Sequence, residues 1–168
     1  MTKEIMLDLR ELKIEGDVLD VVSGNYGSIF NLIKRGPEYD ELDYIDGKRN
    51  EKDIKENHYD NCVLFFTINS LFKRREKNDL FKGISQYLKD DGVLYIWDFD
   101  KGYNKMFNCK INVLLPEDIT KEIVIKDNNL FKNNSKKSNL QMFNKYFTIE
   151  DMWDKDGLYY IKGKKRKI

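Results

Sequence analysis

Two glycines close behind an apolar run are the first residues in this chain whose spacing suggests chemistry. Gly24 and Gly27 follow Val18-Leu19-Asp20-Val21-Val22-Ser23 and precede the helically spaced Ile29, Phe30, Leu32 and Ile33. A turn with so little side chain lets backbone N–H groups and the positive end of a helix face a ligand at close range. Asp46 closes the next stretch of alternating residues about twenty positions on, where a carboxylate can accept hydrogen bonds from two ribose hydroxyls. The dinucleotide pattern GxGxxG falls on Val22, Gly24 and Gly27, with Val22 in place of its first glycine. That match suits nicotinamide and other adenosyl cofactors alike, and it also suits any tight strand-to-helix connection.

The other reactive side chains are dispersed. Cys62 and Cys109 lie in separate segments and form no CxxC pair, so both are expected to be buried free thiols. His58 has no second His or Cys beside it to complete a zinc set, and no metal site is expected. Asp98, Asp100, Tyr26 and Tyr103 stand at strand ends or in loops where a base could act, but their spacing singles out no catalytic residue.

The elements that must position these residues follow from periodicity. Asp17–Val22 and Cys62–Ile68 are β-branched and aromatic runs of the type buried on both faces of a parallel sheet, and Val93–Phe99 is a third. Residues 28–35 have helical spacing and stop at Gly36-Pro37, and Glu41–Asp46 alternates as a strand. Residues 73–88 carry Leu80, Phe81, Ile84, Tyr87 and Leu88 on one helical face, with Lys89-Asp90-Asp91-Gly92 turning the chain into the next strand. Strand, helix, strand implies right-handed parallel units, with ligands bound outside the carboxyl ends of the strands.

Around this frame, Ile5, Leu7, Leu9, Leu12 and Ile14 predict an amphipathic helix over an edge of the sheet. Residues 110–126 predict an inserted β-hairpin added to the main sheet. Ser138 is placed to cap a helix over 139–146, and residues 146–161 predict an antiparallel pair turning at Asp156-Gly157. Residues 162–168 form a basic tail expected to be solvated.

A chain of 168 residues suits one domain. Thirty Lys and Arg against 29 Asp and Glu give a net charge of +1, which exerts no general pull on nucleic acid or membrane. No stretch approaches the roughly 18 apolar residues of a membrane span and the first fifteen residues carry no signal-peptide run, so a cytoplasmic protein is expected.

The combination of segments resembles a known family. Val18-Leu19-Asp20-Val21-Val22-Ser23-Gly24-Asn25-Tyr26 is similar to the first motif of class I S-adenosylmethionine-dependent methyltransferases of the type 11 kind. Tyr59 to Leu71 resembles their central strand and its exit, where two histidines often stand at the places of Asn69 and Ser70. Residues 80–99 resemble their next helix, turn and fifth strand, and Phe147 to Lys162 their antiparallel ending. The resemblance implies a Rossmann-like α/β fold, with a mostly parallel sheet and an antiparallel C-terminal hairpin.

It further implies S-adenosylmethionine as cofactor, with Asp20 and Gly24 toward its methionine part, Ser23 also at the cofactor, Asp46 at the ribose and Thr67 bordering the methyl-transfer site. The acceptor implied is a small molecule, with nucleic acid and membrane not expected as partners. Methyl transfer from a sulfonium draws mainly on positioning, so no catalytic triad is expected. Two departures from the family are legible: its first and third motif glycines fall on Val22 and Tyr26, and only about a dozen residues separate Asp46 from Tyr59, where the family fits a helix and a strand. They motivate the alternative of a non-catalytic methyltransferase-like domain used for binding or assembly. A nicotinamide protein is disfavoured by the terminal hairpin. Acceptor identity and oligomeric state are not written in the sequence.

Overall fold

The computed structural model describes residues 2–22, 39–46 and 53–167. Among the described residues, nine strands form two sheets: β1 (Lys3–Asp8), β2 (Gly16–Val22), β3 (Tyr39–Asp46), β4 (Tyr59–Phe65), β5 (Leu88–Phe99), β6 (Phe107–Leu115), β7 (Ile119–Asp127), β8 (Phe147–Lys155) and β9 (Leu158–Lys165). The described residues also include two α-helices, α1 (Arg74–Tyr87) and α2 (Lys136–Phe143). The main sheet has the order β3-β2-β4-β5-β9-β8. Its first four strands are parallel, and β9 and β8 run antiparallel. The α/β class, the parallel half and the terminal hairpin expected from sequence are all present.

Burial on both faces explains the apolar runs. In β4, Cys62 and Leu64 face the helices with Phe81, Ile84, Met142 and Phe143, while Val63 and Phe65 face the other way. That second face meets not a helix layer but a separate three-stranded sheet, β1-β6-β7. Ile5 and Leu7 of β1 and Ile111 and Val113 of β6 pack there against Phe65, Trp97 and Phe99.

This layer corrects two expectations. Residues 3–8 form a strand parallel to β6, not a helix, because Ile5, Leu7 and Leu9 are buried at a period of two with exposed residues between. The hairpin β6–β7 does not extend the main sheet: its alternating buried residues cover that sheet's face.

Three further corrections are local. The helix-capping residue is Ser135, whose hydroxyl accepts from the Ser138 N–H, so α2 begins three residues before its expected start. Residues 89–92 lie inside β5, exposed at Asp90 and Asp91, rather than in a turn. Lys162–Lys165 belong to β9 rather than to a solvated tail: Lys165 Nζ donates to Leu88 O at 2.8 Å, and Lys164 and Lys162 pair with Asp91 and Glu150. The β8–β9 turn does fall at Asp156 and Gly157, with φ of 59° and 86°, as a two-residue turn between right-twisted strands requires.

Candidate functional site

The carboxyl ends of β2, β3, β4 and β5 lie side by side, with β2 between β3 and β4. Register places Asp20 between Tyr44 of β3 and Val63 of β4, and pairs Val22 with Asp46. Asp20 is buried. Ser23, Gly24 and Tyr26, together with the helix expected after them, lie outside the described residues.

Beyond Phe65 the chain leaves the sheet abruptly. Phe66 adopts a left-handed φ of 55° while its N–H still donates to Trp97 O at 2.8 Å, and a single 3-10 turn, Ile68–Ser70, follows. The strand is therefore shorter than its apolar run, which continues to Ile68 because that residue remains buried beneath the turn. Thr67 lies at this exit and is buried, its hydroxyl donating to Val21 O at 2.7 Å. That bond ties the exit of β4 to the end of β2. Ser70 Oγ donates back to Thr67 O at 2.6 Å, and the Asn69 amide side chain donates to Phe66 O. Register thus places Asp46 at the end of β3, Asp20 two residues inside the end of β2 and Thr67 just past the end of β4, on neighbouring strands.

Next to them is a buried polar cluster that the sequence reading mostly missed. Asp98, fully buried near the end of β5, accepts from Asn69 N at 3.1 Å, Phe99 N at 2.8 Å and Asn134 Nδ2 at 3.0 Å. Lys77 reaches in from α1 and donates to Asn133 O at 2.8 Å and Asn134 Oδ1 at 3.1 Å. Asn139 Nδ2 donates to Asn134 Oδ1 and to the Tyr159 hydroxyl, each at 3.0 Å. Burial pushes the Asp98 carboxyl up to about 6, against three stabilising donors and the Lys77 charge, and burial lowers Lys77 to about 8. Asp98 was a candidate base from its position. In the structure its oxygens are committed to holding the β4 exit, the end of β5 and the segment before α2 together.

A second knot lies alongside. Asp127 pairs with Lys101 at 3.0 Å and with Lys132 at 2.9 Å. Despite burial, those two cations and the Asn129 N–H hold its carboxyl below the ordinary range. Asn69, Asn133, Asn134 and Asn139 carry no sequence signal for this role, because a buried asparagine and a loop asparagine look alike until the fold surrounds one of them.

The remaining candidates separate. Asp100 is exposed and accepts from Lys136 N at 2.8 Å, and Tyr103 is exposed in the loop after β5. Cys62 and Cys109 are buried free thiols, and burial pushes Cys62 well above its ordinary range and Cys109 up to about 11. His58 stands at the opposite end of the sheet, where β4 begins, its ring edge-on to Tyr59 at 5.0 Å. Trp97 is core at the contact between the sheets, Trp153 stacks on Tyr160 within the terminal hairpin, and Tyr159 is buried on the opposite face with residues of α1 and α2.

No protein-family profile and no curated protein matches the chain. Solved structures do. The fold is similar to that of an S-adenosylmethionine-dependent methyltransferase from Clostridium acetobutylicum, at a TM-score of 0.57 and 13% identity over 89% of this chain and 83% of that one. It is similar to PH0226 protein from Pyrococcus horikoshii at a TM-score of 0.56 and 16% identity, over 94% of this chain and 85% of that one. A third likeness is to the N-methyltransferase NodS of Bradyrhizobium japonicum, solved with S-adenosylhomocysteine, at a TM-score of 0.55 and 10% identity over 91% and 78% of the respective chains. The fold of this chain is that of the S-adenosylmethionine-dependent methyltransferases.

Proposed function

We propose that the chain is an S-adenosylmethionine-dependent methyltransferase acting on a small-molecule acceptor, with the cofactor across the ends of β2, β3 and β4. The observation that carries this reading is the juxtaposition of Asp20, Asp46 and the Thr67 exit at adjacent carboxyl ends of a sheet with the methyltransferase fold. Open α/β sheets bind ligands at that end, where the strand order reverses on either side of β2.

The donor set fits the cofactor. Its methionine part carries an ammonium and a sulfonium, which suit a carboxylate such as Asp20, and its ribose offers two hydroxyls to a strand-end carboxylate such as Asp46. Bound S-adenosylmethionine supplies a methyl group on a positively charged sulfur. Ser23 and Gly24 follow β2 and are assigned to the cofactor, Gly24 at its methionine end, by the resemblance to the family.

The chain's own contribution is positional. The Thr67–Val21 bond fixes the β4 exit against β2, and Asp98 fixes the Asn69 turn from the β5 side. A methyl acceptor at that exit meets a rigid wall, and orientation supplies most of the acceleration in such a displacement.

Isothermal titration calorimetry with S-adenosylmethionine and S-adenosylhomocysteine tests the reading, on the protein and on Asp46→Ala. Micromolar binding that is lost in the variant is the expected result. No heat and no thermal shift at millimolar ligand would leave a methyltransferase fold retained for binding or assembly.

A further inference from the structure

Three segments converge beyond the carboxyl ends of β4 and β5: residues 72–77, 100–106 and 127–137. Specific bonds hold them together. Arg74 donates to Ser138 Oγ at 2.8 Å and Gln141 Oε1 at 3.3 Å, Lys77 to Asn133 O at 2.8 Å, and Asn104 N to Leu130 O at 2.8 Å.

Their charge is unlike that of the rest of the molecule. Together they carry nine Lys and Arg and three carboxylates, in a chain whose net charge is +1. The three carboxylates are already engaged: Asp127 by Lys101 and Lys132, Asp100 by Lys136 N, and Glu76 by Lys73 N at 2.9 Å. Asp154 answers Lys136. Lys73, Lys105 and Lys137 are exposed and make no ion pair among the described residues. Elsewhere among the described residues several cations are paired, as in Lys3–Asp156, Lys89–Asp60, Lys110–Glu122 and Lys164–Asp91.

The same segments expose Phe72, Tyr103, Met106, Leu130 and Phe131, the last at 79%. Parts of the second and third segments, with the C-terminal half of α2, line a depression of about 560 Å³, through Asp100, Gly102, Lys105, Lys136, Lys137 and Gln141. That volume lies within the roughly 300–1,000 Å³ of small-molecule sites.

We infer that the methyl acceptor is a small anionic molecule with a planar or apolar body. Lys105 and Lys137 at the depression, with Lys73 on the adjoining segment, attract its anionic group, and Tyr103 and Phe131, exposed on the same loops, offer its body aromatic surface. The word acceptor rests on the methyltransferase reading. The anionic and aromatic preference of the surface does not.

The test uses two fluorescent probes that share a ring system, anilinonaphthalene sulfonate and the neutral N-phenylnaphthylamine, titrated into the full chain. The sulfonate is expected to bind saturably and about tenfold more tightly than the neutral probe, with an affinity that falls as salt is raised. Replacing Lys73, Lys105 and Lys137 together by Gln weakens the sulfonate about tenfold and leaves the neutral probe unchanged, and Phe131→Ser weakens both. All four positions are exposed, so circular dichroism should report an intact fold.

Equal binding of the two probes, or an unaltered sulfonate affinity in the triple variant, overturns the inference. Displacement of the sulfonate by a short oligouridylate at far lower concentration overturns it too, in favour of a polymeric partner. Neither probe needs S-adenosylmethionine. Sulfonate binding without cofactor binding therefore sinks the methyltransferase reading alone, and cofactor binding with no preference between probes sinks only this inference.

Discussion

Asp98 buries a carboxylate completely in a small protein, which is tolerated because three N–H donors and the Lys77 ammonium face it. Its pKa is raised from an unfolded value of 3.8 to about 6, so the folded state binds a proton that the unfolded state releases. The stability that follows is fully present below the unfolded pKa and is lost as pH rises toward 6. Asp98→Asn removes this titration while leaving Lys77 and Tyr159, the other ionisable groups facing it, in place. Between pH 7 and pH 4 the stability of the wild-type protein relative to the variant should therefore increase by about 2 kcal/mol, read as the difference in urea unfolding free energy at each pH. A difference that does not change with pH would mean that Asp98 titrates normally. Thr67 is the simpler case: Thr67→Val keeps the shape, removes the bond to Val21 O and leaves that carbonyl without its hydroxyl donor, which should cost about 1–2 kcal/mol in the same assay, with Thr67→Ser restoring most of it.

The helices and strands were legible in the sequence where periodicity was strong and both partners were local. β2, β4, β5, α1 and the β8–β9 hairpin fall within a few residues of expectation because long apolar runs and an Asp-Gly turn specify them. β1 did not, since Ile5, Leu7, Leu9, Leu12 and Ile14 fit both periods and only its pairing with β6, about a hundred residues away, selects the strand. The basic end of β9 was hidden for a related reason. Gly163 reads as a loop residue, yet it lies in the strand, where the Phe143 ring of α2 occupies the space a side chain would take. Gly163→Ala should therefore destabilise by about 2–3 kcal/mol, and Phe143→Leu in the same chain should recover part of the loss, both read from the thermal midpoint. The β6–β7 turn predicts the opposite sign. Glu117 and Asp118 both hold positive φ, 63° and 56°, without being glycine, so Asp118→Gly should raise the midpoint, worth about 0.5–1 kcal/mol.

At the scale of the whole molecule, the strands that carry the candidate residues were legible, with Asp46 at the end of β3, Thr67 past the end of β4 and Asp20 inside β2. The polar cluster around Asp98 was not, since it is assembled from four separated segments, and neither was the sheet-on-sheet layer, since nothing in the alternation of β6 and β7 says which face they will cover. That layer makes the unfolding behaviour testable. The two sheets share one apolar interior in which Leu7, Val113 and Ile125 meet Phe65, Trp97 and Phe99, so neither sheet can expose its face without the other. Trp97 reports that interior, and Trp153, half-exposed on β8 and stacked on Tyr160 at 5.8 Å, reports the far hairpin. Urea transitions followed through each tryptophan alone, in Trp153→Phe and Trp97→Phe proteins, should coincide with the far-ultraviolet circular dichroism transition. Leu7→Ala, a cavity in the smaller sheet, should then move the transition seen by Trp153 as well as that seen by Trp97, each by about 2–4 kcal/mol. If only the Trp97 signal moves, β1-β6-β7 unfolds by itself, and the terminal hairpin with the strand ends it adjoins is stable without the second sheet. A common shift means that the strand ends proposed to hold the cofactor depend on the layer formed by β1, β6 and β7.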